Sequence, residues 1–428
     1  MSRRTAEIRV AVPLQVAAGL VVIASVAITA AQPGGISDIQ VPLAFAGFIA
    51  VGEILRIVLP GGRQAAPLAS AGALAFALLP GFHGADAFHV SVPLAVSVVT
   101  FGSVIGAVPR TLVGRGLHLD ELARRVFSTA VAAAIFQGLL DTHVVSTASG
   151  TWTGTALALA MTAAAIVAAC VDAFLAAFVR SGEDHVPLRT AISDEFRALV
   201  GISSAIAATG VLIALAAPKM GFWALPVFAI PLLLTQFSFR RYATIDATYL
   251  QTIRSLSKVT EVGGYNETGH SRRVSRLAVS VGREMGIPER DLVDLEYAAL
   301  MHDIGQLSLP QPIPGGTTTI LAAVDQRRIA ELGAVVIREA GMERAALIVE
   351  RQSDPYRPHR GQVDHDLPLE SRIVKVANAY DDFVGASLES DRKLQAIERL
   401  ELAVDRDYDP AVVDVLARIV ERQTEYAY

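Results

Sequence analysis

The stretch whose reading decides the fold of the second half is Ala299–Pro310, ALMHDIGQLSLP. An apolar helical run ends there in adjacent His302 and Asp303, and Gly305 and Pro310 then break the helix. An imidazole and a carboxylate side by side are metal ligands of complementary type. The preceding ERDLVDLEYAALM puts Leu292, Leu295, Ala298 and Ala299 on one helical face. Earlier still, SRRVSRLAVSVGREMG repeats the pattern with Val274, Leu277, Ala278 and Val281, and Gly286 and Pro288 end it. RRIAELGAVVIREAG, ERAALIVERQ, ESRIVKVANAYDDFV and PAVVDVLARIVERQ continue the series, and no run alternates as a strand would. Residues 265–428 are expected to form an all-helical domain.

The first half differs in kind. The chain has 428 residues, 52% hydrophobic and 18% charged, with a mean hydropathy of +0.44. Such a composition belongs to the membrane class. The net charge of -5 lends no support to nucleic-acid binding. Cys170 is the single cysteine, so an intramolecular disulfide and a cysteine-based metal site are both excluded. Composition shifts at Arg240 and Arg241, which divides the chain into a membrane domain (1–240), a linker helix (241–264) and the helical domain (265–428).

About eight apolar segments precede Arg240, near 10–31, 41–59, 66–81, 89–109, 126–147, 151–179, 198–217 and 221–239. The first, behind Arg3, Arg4 and Arg9, is long enough for a retained span rather than a cleaved leader. Basic residues fall in alternate loops: Arg63, then Arg110, Arg115, Arg124 and Arg125, then Arg180, Arg189 and Arg197, then Arg240 and Arg241. Only Lys219 departs from this alternation. The positive-inside rule then predicts an integral cell-membrane protein with eight crossings and both termini cytoplasmic; dropping the short third segment gives seven and inverts the later loops.

Several ionisable residues sit in or beside these segments. Asp172 lies about two turns inside the sixth, either as a ligand contact or as a paired helix-packing group. Glu53 and Arg56 are one turn apart and are expected to pair. His83, His89 and His143 fall near the outer face. In the linker helix Ile245, Tyr249, Ile253 and Leu256 form a stripe that either packs on the following domain or pairs with a second copy of the chain.

GHSRRVSRLA, LMHDIGQLSLP, LPLESRIVKVANAYDDFV and DYDPAVVDVL resemble the landmarks of the HD-GYP family, in its order and near its spacing, over roughly 250–428. That family belongs to the HD superfamily of metal-dependent phosphohydrolases. The resemblance implies an all-helical fold, a clustered site of divalent transition metals such as manganese or iron, and cyclic di-GMP as a substrate. It makes His270, His302 and Asp303 metal ligands. Chemically, such an ion lowers the pKa of a bound water and clamps phosphate oxygens.

Other positions depart from the family. Gln306 stands where it has a lysine, and Ile329 where it has a histidine. Glu350, Arg351 and Gln352 occupy the stretch of its paired histidines, and Tyr356 alone survives of the GYP loop. Asn378 replaces the closing aspartate, so Asn378 or the nearby Asp381 would be an added weak ligand. His359 and His365 are loop histidines, and Arg351, Arg357 and Arg360 form a candidate phosphate-binding group. Three firm ligands suit one ion better than two.

The leading expectation is a membrane signalling protein whose degenerate HD-GYP-like domain binds or regulates, with a cyclic dinucleotide or a cytoplasmic signalling protein as partner. An active phosphohydrolase with a reduced metal site, and a transporter with a regulatory tail, are the alternatives.

Overall fold

The structure is a computed structural model, describing residues 3–32, 38–58, 64–82, 89–114, 116, 118–141, 154–313, 317–358, 362–387 and 389–425. Arg63, His83, Arg115, His143, His359 and Arg360 lie outside the described residues. The chain divides into two compact units, Met1–Glu183 with Ala191–Thr244, and Asp184–Thr190 with Ile245–Tyr428.

The first unit contains α1 (Arg3–Ala30), α2 (Gln40–Ile54), α3 (Pro67–Ala77), α4 (Val92–Leu112), α5 (Leu119–Asp141) and α6 (Gly154–Glu183). After α7 (Leu188–Ala198) come α8 (Ser204–Met220) and the long α9 (Ala224–Val262), which runs on into the second unit. Ser91 caps α4 by accepting the Leu94 N–H at 3.3 Å. Helices α2 and α4 approach closely because α4 carries Gly102 and Gly106 one turn apart. A Cβ on either would lie 2.6 or 2.5 Å from the Ala46 or Ala50 carbonyl oxygen. Small residues four apart are the usual means by which apolar helices come so near. The core collects Phe45, Phe76, Phe136, Met161 and Ile213, all fully buried.

Each apolar segment in the sequence coincides with a helix, though not every one of these helices is by itself long and apolar enough to cross a membrane. Among the described residues, four stretches are long and apolar enough to cross a membrane: Ala11–Ala30, Val92–Leu112, Gly154–Glu183 and Leu188–Val262. The last of these holds both the seventh and the eighth expected spans, as α8 and the start of α9. Helix α2 has 15 residues and α3 only 11. Eleven residues rise roughly 16 Å, about half the hydrocarbon thickness. Nine residues of α3 are buried, so its apolar character serves packing inside the unit. The run at 66–81 reads as a span because hydropathy alone does not distinguish a core helix from a lipid-facing one. The apolar helices are compatible with membrane insertion.

The second unit is helical, as expected. It comprises the end of α9 with α10 (His270–Glu284), α11 (Glu289–Met301), α12 (Ala323–Glu339), α13 (Glu343–Glu350), α14 (Leu369–Val384), α15 (Ser390–Glu401) and α16 (Pro410–Glu425). An isolated bridge joins Val404 and Tyr408, and no strand of two or more residues occurs among its described residues. Its core is built from the faces read in the sequence, including Val274, Leu292, Leu295, Val374 and Leu416.

Candidate metal centre

Three local features aim the central side chains. Gly269, at φ +82°, turns the chain directly into α10, so His270 opens the helix. Helix α11 stops at Met301, and His302 and Asp303 lead into a 3-10 turn over Ile304–Ser308. Gly305 lets that turn press on α12: a Cβ there would lie 2.0 Å from the Ile329 carbonyl oxygen. No other residue type fits this approach.

The result is a buried cluster of His270, His302 and Asp303. Their central atoms lie close together. His270 Nε2 is 3.2 Å from His302 Nε2 and 3.2 Å from Asp303 Oδ2. His302 Nε2 is 2.9 Å from Asp303 Oδ2 and 3.2 Å from Asn378 Oδ1. The far sides of both rings decide where their protons sit. His302 Nδ1 donates to the Ala299 carbonyl at 2.8 Å, and His270 Nδ1 donates to Asp381 at 2.8 Å. Each neutral imidazole therefore turns a lone pair inward. Asn378 Nδ2 donates to Thr318 Oγ1 at 3.1 Å, which leaves its Oδ1 facing the centre.

Four acceptor atoms thus converge, and only positive charge among them makes the arrangement stable. One source is a proton on His270. Burial opposes that proton, but Asp303 and Asp381 outweigh burial and push the group up to about 10. Burial likewise opposes the charge of Asp303, and the two histidines overcome it, holding the carboxyl well below its usual range. The other source is a cation. Ligands about 2.0–2.2 Å from one ion lie roughly 2.9–3.5 Å from each other, and the observed separations of 2.9 and 3.2 Å match. The donor set fits one divalent ion.

Asp381, expected as a possible ligand, stands elsewhere. It lies behind His270, where Arg273 also holds it through Nε and Nη2 at 2.8 and 2.9 Å. It orients the ring rather than facing the centre, because it is one helical turn beyond Asn378. Three of the residues at the departing positions, Gln306, Gln352 and Ile329, carry no charge. Gln306 is fully buried and donates to Asn266 at 3.1 Å. Gln352 donates to the His302 carbonyl at 2.7 Å, and Ile329 is buried. Asn266, which sequence reading missed, donates to Asp303 at 2.8 Å.

A cavity of about 430 Å³ opens in front of Asp303 and Asn378. Arg327, Arg357, Lys375 and Arg406 line it. Lys375 is held by the carbonyls of Ser353 and Asp354 at 3.3 and 2.9 Å. Burial pushes its ammonium down to about 8, against the pull of Asp407 and Asp354. Of the expected arginine trio, Arg360 lies outside the described residues, and of the other two Arg357 alone lines the cavity. Arg351 is bound by Asp354 at 2.5 Å and Asp364 at 2.7 Å and does not line this cavity. Arg357 lines it but also meets Asp405 at 3.2 Å. Lys375 was visible in ESRIVKVAN, yet nothing local marks it as cavity-facing. His365 is exposed and outside the cluster.

In the first unit, Asp172 pairs with Arg124 at 3.3 Å and lines a cavity of about 180 Å³. Its wall includes a π-helical turn, Leu199–Ser203, in which Gly201 leaves helical geometry.

Residues 264–412 match the family described as HD domain. Three curated proteins are similar over about two fifths of the chain. A cyclic di-GMP phosphodiesterase of Thermotoga maritima is 25% identical over 186 residues, 41% of this chain and 50% of that protein. The cyclic di-GMP phosphodiesterase response regulator RpfG of Xanthomonas campestris is 28% identical over 193 residues, 42% of this chain and 51% of that one. A 3'3'-cGAMP-specific phosphodiesterase 3 of Vibrio cholerae is 24% identical over 194 residues, 42% of each chain. The chain spans about half the length of the curated relatives it matches. What the helices hold around His302 and Asp303 is an HD domain, related to phosphodiesterases that bear the names of cyclic dinucleotides.

Proposed function

We propose that this chain is a membrane-inserted signalling protein whose HD domain binds a cyclic dinucleotide, or a close phosphodiester relative, over one divalent transition metal ion. The supporting observation is the convergence of four acceptor atoms beside a cavity with a basic wall. His270, His302, Asp303 and Asn378 would hold the ion, and Asp381 would fix the His270 ring. When bound, manganese or iron supplies Lewis acidity toward a phosphate oxygen. Lys375, Arg327, Arg357 and Arg406 would neutralise the ligand's phosphates, and Thr318 would orient Asn378. Binding rather than turnover is favoured because Ile329, Gln306 and Gln352 supply no charge for a second ion. Both termini would lie on the cytoplasmic side, where α9 carries the HD domain.

The test uses the purified full chain. Elemental analysis is expected to find about one transition metal per chain, removed by His302→Ala. Calorimetry with cyclic di-GMP and 3'3'-cGAMP is expected to show binding that depends on the metal. Absence of both metal and binding would overturn the proposal. Sustained hydrolysis with manganese or iron, abolished by Asp303→Ala, would replace the receptor reading with an enzymatic one.

A further inference from the structure

Helix α9 carries two faces beyond Arg241. One packs inward: Ile253, Ser257 and Thr260 are buried, and Leu250 packs on the core of the second unit. The other is apolar and open. Tyr242, Ile245, Tyr249, Leu256 and Val259 are 57%, 64%, 41%, 40% and 45% exposed. A helix that served only its own domain would turn such residues to the buried side.

Their spacing is specific. Together with Thr252, they recur at alternating intervals of three and four residues from Tyr242 to Val259. That is the a and d alternation of a heptad repeat. With Tyr242 at position a, Arg241 falls at g and Asp246 at the following e. In a parallel, in-register pair, g of one helix faces e of the other five residues on. Arg241 therefore meets Asp246 of the second copy, twice by symmetry. The remaining e positions, Ile253 and Thr260, are covered by the chain's own domain, so this is the charge contact left to set the register. The Tyr249 ring meets Tyr297 edge-on at 5.8 Å, which braces one flank of the seam.

We propose that two copies of this chain pair through a parallel two-stranded coiled coil over 242–259. The direction rests on the membrane reading, since chains inserted alike in one bilayer present α9 in parallel. The seam is under three heptads long, and confinement to one bilayer supplies the effective concentration that so short a pair needs.

The test uses the full chain in phosphatidylethanolamine–phosphatidylglycerol vesicles, with Cys170→Ser as background. Ile245→Cys and Leu256→Cys are expected to form disulfide dimers under mild oxidation about tenfold faster than Gln251→Cys and Lys258→Cys on the opposite face. Equal rates on both faces, or no dimer at any position, overturn the proposal. Arg241→Asp and Asp246→Arg are each expected to weaken dimerisation about fivefold, and their combination to restore it. Failure of the combination to restore pairing overturns the register. The membrane reading fails separately, as a chain that stays soluble without lipid or detergent; the face-dependence of cross-linking can then still be measured.

Discussion

Two buried clusters of charge lie in this chain, and they are balanced in opposite ways. In the first unit Glu53, Arg56, Glu121 and Arg125 close a ring of ion pairs. Arg56 meets Glu53 at 2.5 Å and also binds Glu121, while Arg125 binds Glu53 and meets Glu121 at 3.2 Å and Ser103 at 3.0 Å. Two cations face two anions, so the charge of the ring is balanced within the protein, although Arg56 Nε and Arg125 Nε find no acceptor. In the second unit His270, His302, Asp303 and Asn378 turn acceptor atoms toward one another. That cluster is complete only with added positive charge. Both places are largely shielded from solvent; the balance of charge is what separates a structural knot from a candidate ion site.

The sharpest way to break this comparison is to remove an anion from the second cluster. Asp303→Ala is expected to eliminate bound metal in elemental analysis of the full chain, leaving less than about a tenth of the wild-type content. Retained metal would mean that the acceptors do not form an ion site. The matching change in the first cluster is Arg125→Ala. It should leave metal content unchanged and cost about 3–5 kcal/mol of stability, read by thermal unfolding in detergent, because Glu53 stays buried with fewer partners.

Smaller changes sharpen the roles. Asp381→Asn should weaken metal affinity about 10–100-fold in chelator competition, since the carboxylate that orients His270 loses its charge. An effect as complete as that of Asp303→Ala would instead place Asp381 on the ion itself. Asn378→Asp adds an anion where Oδ1 faces the centre, so metal affinity should rise about tenfold, or 1.4 kcal/mol. Unchanged affinity would remove Asn378 from the set. The smallest effect concerns the cavity wall. Lys375 is pushed down to about 8, so its charge is present below that pH and is lost as pH rises through it. Calorimetric affinity for a cyclic dinucleotide should decline severalfold above about pH 8. Lys375→Gln should flatten that decline.

Much of this arrangement was legible in the sequence, and the reason is local. Val274, Leu277, Leu292 and Leu295 announce helices because their spacing repeats with the helical turn, and burial follows from their apolarity. His302 and Asp303 were legible as a pair because adjacency in sequence becomes adjacency at a helix end. Other features were not. Arg351 reads as a free phosphate-binding arginine until Asp354 and Asp364 are seen to bind it. Asp381 and Asn378 differ by three positions on one helix, and only packing against α10 sets which faces the histidines. Asn266 carried no local signal at all.

By itself the sequence determined a helical chain of two characters, an apolar half and a charged half, with His302 and Asp303 as a candidate pair to which the family resemblance added His270. Hydropathy and helical period are short-range properties, and a linear reading captures them. Only the tertiary structure decided that α3 serves the core of its unit, that Asp381 stands behind its histidine, and that Lys375 faces the cavity. Those outcomes depend on residues tens of positions apart meeting at fixed distances. Packing sets such meetings, and no window of sequence contains them.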